Sequence, residues 1–171
     1  MKTTMLAALL LSAATGIASA GGQEGSIGAG VEYQLAGLSQ VGNLGGPSIN
    51  YDAGKFHVGG YLSLFDGDGA DNTSIGLGGR FFYHVHSTAM SDFGVGSNIG
   101  FVNFDNPLPL DQDNSDTALF IEPGFQIRLF VASNVALSFN AGIVIGALDA
   151  PGGFALTGNV TGGAGVHYYF F

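Results

Sequence analysis

Residues 26–35 read Ser-Ile-Gly-Ala-Gly-Val-Glu-Tyr-Gln-Leu, and apolar residues alternate with polar or glycine residues along the whole stretch. The apolar members share one face of an extended chain, and they are Ile27, Ala29, Val31, Tyr33 and Leu35. Strict alternation is typical of a β-strand with one apolar face. A tilted strand that crosses a bilayer needs about 9–11 residues. The stretch therefore predicts a strand long enough to span a membrane.

The same period of two recurs along the rest of the chain and predicts seven more strands. They cover residues 47–53, 56–65, 73–85, 93–104, 118–130, 135–146 and about 154–171. Pro123 lies inside the sixth of the eight strands. Because proline cannot donate a hydrogen bond to a ladder, we expect a bulge there.

The connections between these strands alternate in length. The first, third, fifth and seventh are long, at residues 36–46, 66–72, 105–116 and 147–153, whereas 54–55, 86–91 and 131–134 are short. This alternation predicts an all-β fold, an eight-stranded antiparallel up-and-down transmembrane β-barrel with short periplasmic turns and longer extracellular loops. A soluble sandwich is the alternative, but its strands average about 5–6 residues and carry charges on the solvent face.

Composition is consistent with a membrane barrel. Only 10% of residues are charged and 46% are apolar, yet after the N-terminus no apolar run reaches the roughly 18 residues of a spanning helix. Lipid admits only helices and closed barrels, because every backbone polar group must be paired internally. The chain has no cysteine, which excludes disulfides and thiolate zinc sites.

The N-terminus has the order of features expected of a secretory signal peptide. Lys2 supplies the positive charge, residues 5–14 form an apolar run, and Ala18-Ser19-Ala20 is a small-x-small cleavage site. We therefore expect residues 1–20 to be a cleaved signal peptide and residues 21–171 to form the barrel domain.

The mature chain is strongly acidic. Thirteen acidic residues stand against Lys55, Arg80 and Arg128, which gives residues 21–171 a net charge of −10. A nucleic-acid-binding protein needs a basic face. The charge pattern therefore excludes nucleic acid as a partner.

The polar residues at inward positions are the candidate functional residues. They are Glu32, Asp52, His57, Arg80, His84, Glu122, Gln126 and Arg128, together with His167. A buried charge is costly unless it is paired, and an eight-stranded barrel is only wide enough for side chains to fill it. We expect an ion-pair and hydrogen-bond network that plugs the lumen. A narrow gated channel for ions or small solutes is the alternative.

Other activities have weaker support in the sequence. A lipid-modifying enzyme would need a nucleophile beside its base, and His84, His86 and Ser87 are the only suggestive cluster. We therefore expect no enzyme activity. The acidic loops at 66–71 and 105–116 lack a complete calcium-loop pattern, so we expect no resident metal and no cofactor.

The chain ends Val166-His167-Tyr168-Tyr169-Phe170-Phe171. A terminal Phe171 with Tyr169 two residues before it resembles the assembly signal of bacterial outer-membrane proteins, although His167 departs from the apolar residue expected next. The alternative register, with Phe170 and Tyr168, is apolar throughout, so which face meets lipid stays open.

With the signal peptide and eight strands, the mature chain resembles the small OmpA/OmpX-type barrels. This resemblance implies a monomer in the outer membrane of a Gram-negative bacterium. It also implies contacts with outer-membrane lipid, lipopolysaccharide and the outer-membrane assembly machinery. It transfers no specific activity to this chain.

Overall fold

A computed structural model describes residues 24–36, 45–66, 73–105, 115–150 and 153–170. These ranges hold eight strands. In chain order they are β1 (Ile27–Ala36), β2 (Gly45–Asp52), β3 (Phe56–Asp66), β4 (Thr73–Ser87), β5 (Ser91–Asp105), β6 (Ser115–Ala132), β7 (Val135–Ala150) and β8 (Gly153–Phe170). The predicted signal peptide lies outside the described residues.

The eight strands form one closed barrel in sequence order. Each strand pairs antiparallel with the next, and β8 pairs back with β1 so that Ile27 lies opposite Phe170 and Val31 opposite Val166. Closure leaves no strand edge with unpaired backbone groups. The predicted eight-stranded up-and-down topology is confirmed.

Two local expectations were wrong. The seventh connection is not long, because β7 and β8 continue pairing to Ala150 and Gly153, and a two-residue connection is enough to close a hairpin. Pro123 forms no bulge. The β5–β6 register runs through it without a shift, opposite Ser97, and the β6–β7 pairing omits residues 122 and 123 but resumes in the same register. Because proline has no backbone N–H, Pro123 interrupts the pairing of β6 with β7, but the alignment of the strands is unchanged.

The short connections lie together at one end of the barrel, which we call the turn end. They span residues 53–55, 88–90 and 133–134. In the first, the amide of Ala53 donates to the carbonyl of Phe56 over 2.8 Å. Gly54 takes φ +77° there, a left-handed conformation that glycine adopts without the strain of a Cβ atom. The opposite end is the loop end.

The outer face of the barrel wall is apolar, and the charged side chains of the described strands point inside. On β6, for example, Leu119, Ile121 and Phe125 are exposed, whereas Glu122 and Gln126 are buried. Among the described side chains, no Asp, Glu, Lys or Arg of a strand points outward, and Glu24 and Lys55 lie in or beside turns. The described residues include no helix with the length and apolarity of a membrane span.

Inward-facing glycines make room for large lumen side chains. A Cβ added at Gly78 would lie 2.1 Å from the ring of Tyr61, and one added at Gly28 would lie 2.8 Å from the ring of Tyr169. Both distances are far below van der Waals contact. Strand β1 at Gly28 and strand β4 at Gly78 therefore need glycine, because an aromatic ring crosses the lumen at each position.

Candidate functional site in the barrel lumen

Arg128 is the centre of a cluster of charged side chains near the turn end. Its Nη1 lies 2.7 Å from Oδ2 of Asp52, and its Nη2 lies 2.6 Å from Oδ2 of Asp92. The same two nitrogens reach the hydroxyl of Tyr169 at 3.1 Å and Nε2 of His84 at 3.0 Å. We call Asp52, His84, Asp92 and Arg128 the turn-end cluster. One guanidinium of β6 thus contacts side chains of β2, β4, β5 and β8.

The planar guanidinium can donate in several directions at once, which suits this central position. Asp52, Asp92 and Arg128 are each at most 2% exposed. Charges buried this deeply are tolerated only when they are paired and hydrogen-bonded. The turn-end cluster therefore depends on Arg128 to balance its two carboxylates.

A second histidine, His57, adjoins the turn-end cluster through His84. Nδ1 of His84 lies 2.7 Å from the carbonyl oxygen of Gly54, and Nε2 of His84 lies 2.8 Å from Nδ1 of His57. A carbonyl only accepts and a guanidinium only donates. His84 is therefore neutral in this geometry, with its proton on Nδ1 and its Nε2 accepting from Arg128. The ring of His57 stacks on that of Phe82 at 5.6 Å between centroids.

A second cluster lies in the middle of the lumen around Arg80. Its guanidinium forms an ion pair with Glu32, and its Nε donates to Oδ1 of Asn50 over 3.0 Å. Nε2 of His167 lies 3.0 Å from Oε1 of Glu32 and 2.7 Å from Oγ of Ser48. These contacts connect β1, β2, β4 and β8 across the barrel interior. We call Glu32, Ser48, Asn50, Arg80 and His167 the mid-lumen cluster.

Glu122 adds a fourth carboxylate to the lumen, beside the mid-lumen cluster. It is 1% exposed. Its two oxygens accept hydrogen bonds from Nδ2 of Asn98, at 3.2 Å, and from Nδ2 of Asn140, at 3.3 Å. Amide donors from β5 and β7 thus fix this carboxylate from both sides.

Apolar groups fill the lumen on either side of these polar clusters. Toward the loop end, Tyr61 and Phe120 pack with three smaller residues, Val102, Ala118 and Val144. Toward the turn end, Phe130 and Ala136 pack with Tyr169. A cavity of about 10 Å³ beside Arg80, lined also by Glu32, Asn98, Asn140 and Tyr61, is large enough for about one water molecule.

All eight predicted lumen residues face the barrel interior. The residues Asp52, His57, Arg80, Glu122, Gln126 and Arg128 are buried, and Glu32 and His84 are partly buried. Arg80 pairs with Glu32, and Arg128 pairs with Asp52. Gln126 lies beside His57.

The sequence interpretation missed several lumen residues. Asp92 is the most important of them, because β5 begins at Ser91, before the predicted start at residue 93. Asn50, Asn98 and Asn140 were also missed. They occupy inward positions of strands that alternation does identify, so their polarity at those positions was the available signal.

The C-terminal strand settles which register faces outward. Val166, Tyr168 and Phe170 are exposed on the outer face, whereas His167 and Tyr169 are buried in the lumen. Tyr169, predicted as part of the assembly signal, thus also binds Arg128 inside the barrel. Phe171 lies outside the described residues, and the assembly signal itself stays a prediction. The loop acids at 68, 71, 111 and 113 also lie outside them.

No protein-family model and no curated protein sequence matches the chain. Its structure is similar to the crystal structure of the N-terminal β-barrel domain of Pseudomonas aeruginosa OprF, with a TM-score of 0.58 and 14% identity, covering 86% of this chain and 98% of that chain. It is also similar to the solution structure of outer membrane protein H (OprH) from P. aeruginosa in DHPC micelles, with a TM-score of 0.55 and 10% identity, covering 85% and 99% of the two chains. Identities this low establish a shared fold and leave function open. The chain therefore has the closed eight-stranded fold of small outer-membrane β-barrel proteins.

Proposed function

We propose that this protein is an integral outer-membrane β-barrel with a structural or surface-interaction role, whose lumen is plugged by its polar and ionic network. The observation that carries the proposal is the distribution of side chains in the wall, which is the reverse of that in a water-soluble protein. Described strand residues that point outward are apolar or uncharged, and the charged ones point inward. Such a wall suits a lipid surround, in which a charge at the bilayer centre is costly.

Aromatic residues on the outer surface support a membrane interface at the turn end. Tyr51, Tyr83, Phe93, Tyr168 and Phe170 are all more than a third exposed. Each lies on the outer face within a few residues of a turn or of the end of β8. Aromatic girdles of this kind mark the level of the headgroups in transmembrane barrels.

A plugged lumen is supported by contacts that cross the interior between strands that are not neighbours. Arg80 of β4 reaches Glu32 of β1, and Arg128 of β6 reaches Asp52 of β2. Ser48 of β2 contacts His167 of β8. With the apolar groups above and below, these pairs occupy the cross-section at several levels, and the cavity beside Arg80 holds about one water.

The narrow gated channel is the alternative, and it would require these ion pairs to separate. An enzymatic role has less support. Nε2 of His84 is engaged by Arg128 and His57, while His86 and Ser87 are exposed at the end of β4. This arrangement does not present His84 as a base for Ser87.

The proposed partners follow from this location. Outer-membrane lipid and lipopolysaccharide would contact the apolar outer face, and the assembly machinery would insert the barrel. The barrel closes on itself within one chain, which is consistent with a monomer. The plugged interior leaves surface interactions to the connections at the loop end.

Fractionation tests the location directly. The full-length chain is expressed in a Gram-negative host, and inner and outer membranes are separated on a density gradient. We expect the chain in the outer-membrane fraction, with electrophoretic mobility that changes on boiling because the folded barrel resists detergent. Recovery in the soluble periplasmic fraction would contradict the proposal.

A further inference from the structure

Asp52, His84 and Asp92 each offer one ligand atom, and these atoms all lie within 4.8 Å of one another. Two carboxylates and one imidazole are a ligand set that first-row divalent metals accept. In a four-coordinate ion with bonds of about 2.0–2.2 Å, neighbouring ligand atoms lie roughly 3.4 Å apart. To hold one such ion, the three ligand atoms would approach one another by up to about 1.4 Å from their separations here.

The side chains of this set are oriented as metal ligands are. His84 donates its Nδ1–H to the carbonyl of Gly54 over 2.7 Å, which fixes the tautomer and points Nε2 into the cluster, as in most histidine metal sites. The amide of Gly54 donates to Oδ1 of Asp52 over 2.8 Å. Oδ1 of Asp92, buried in the cluster, has no hydrogen-bond partner among the described residues.

The guanidinium of Arg128 stands where an ion would bind. It contacts all three ligand residues, at 2.7, 2.6 and 3.0 Å. We propose that Asp52, His84 and Asp92 form a cation site whose resident cation is Arg128, and that a divalent transition-metal ion takes this site when the guanidinium is removed.

Charge is the physical reason for this exchange. With Arg128 in place and His84 neutral, the cluster carries two negative charges and one positive charge. Without Arg128 the two buried carboxylates are left with a net charge of −2, which one divalent ion balances. The imidazole favours Zn²⁺ or Co²⁺ over the hard ions Mg²⁺ and Ca²⁺, which prefer oxygen ligands.

The test uses the full-length chain purified from membranes in detergent, with Co²⁺ as the probe. Arg128→Ala and Arg128→Gln are compared with the wild type and with Arg128→Ala/His84→Gln, which lacks the imidazole. We expect each single variant to bind one Co²⁺ with the visible absorption of a four- or five-coordinate ion. We expect the wild type and the double variant to bind more than about tenfold more weakly.

Each contrary result overturns the proposal. Equal binding by the wild type would mean that Arg128 does not occupy the site. Equal binding by the double variant would place the ion elsewhere, for instance on the acidic loops. Folded single variants that bind no Co²⁺ would remove the site altogether. Single variants that fail to fold even with Co²⁺ or Zn²⁺ would also contradict it, because the ion should restore the charge balance.

Discussion

Arg128 and Asp92 lie directly opposite each other on strands β6 and β5, and Nη2 of Arg128 lies 2.6 Å from Oδ2 of Asp92. The same guanidinium also holds Asp52, which belongs to a strand that is not a neighbour of β6. Arg128 therefore pairs with Asp92 on the neighbouring strand and also with Asp52 across the lumen. The turn end of the barrel is thus fixed by one side chain and its partners.

Removal of Arg128 should destabilise the barrel strongly. Arg128→Ala leaves Asp52 and Asp92 buried without their counter-charge, and breaking a buried pair in this way costs about 3–5 kcal/mol. Asp92→Asn should cost less, because Arg128 keeps Asp52. Denaturant unfolding in detergent micelles measures both free energies in metal-free buffer. Lys55→Ala, in an exposed turn, is the control and should lie within about 0.5 kcal/mol of the wild type. An Arg128→Ala cost as small as that of Lys55→Ala would contradict the central position of Arg128.

Gly78 and Gly79 are adjacent residues of β4 that face opposite sides of the wall, and they should respond differently to alanine. At Gly78 the new Cβ would meet the ring of Tyr61 at 2.1 Å, whereas at Gly79 the nearest atom is 3.7 Å away. Overpacking typically costs about 1–3 kcal/mol, so Gly78→Ala should be destabilised and Gly79→Ala should not. Thermal unfolding compares the two variants.

The loss of stability caused by Gly78→Ala should be smaller when the ring of Tyr61 is replaced by a shorter side chain. Tyr61→Leu combined with Gly78→Ala should be less destabilised than the sum of the two single variants, as expected for residues in contact. Strict additivity would show that Tyr61 does not cross the lumen at Gly78.

An arginine introduced on the outer face should destabilise the barrel more near the middle of the membrane than near its surface. Ile121 and Val131 lie on the same face of β6 and are similarly exposed, at 45% and 48%, with Val131 close to the turn at residues 133–134. In a transmembrane barrel, arginine costs about 2–4 kcal/mol near the midplane and about 0–1 kcal/mol near an interface. Ile121→Arg should therefore be much more destabilising than Val131→Arg in lipid vesicles. Similar, small costs at both positions would indicate a barrel surrounded by water.

The sequence predicted the architecture well because alternation reports directly on the two faces of a wall. It identified all eight strands and the inward direction of residues such as Glu32, Arg80 and Arg128. Alternation does not report which inward side chains meet. The contact between Ser48 and His167 depends on how β2 and β8 are staggered around the barrel, and that stagger follows from pairing along every intervening ladder.

Strand boundaries were the second source of error. Asp92 was left outside the predicted strand because it immediately follows the short connection, although its carboxylate pairs with Arg128. Similarly, residues 147–150 were assigned to the seventh connection, yet the ladder between β7 and β8 continues to Ala150. The end of a strand depends on how far its partner continues to pair with it, and alternation along one strand does not report that.

Conductance measures the plugged-barrel claim most directly. The full-length protein is purified from membranes and reconstituted in planar lipid bilayers, with insertion verified by protection from protease. If the clusters around Arg80 and Arg128 and the apolar groups beside them fill the lumen, the inserted wild-type barrel should give no current steps above the bare bilayer. Steady, discrete steps from verified insertions would contradict the plug and favour the narrow channel.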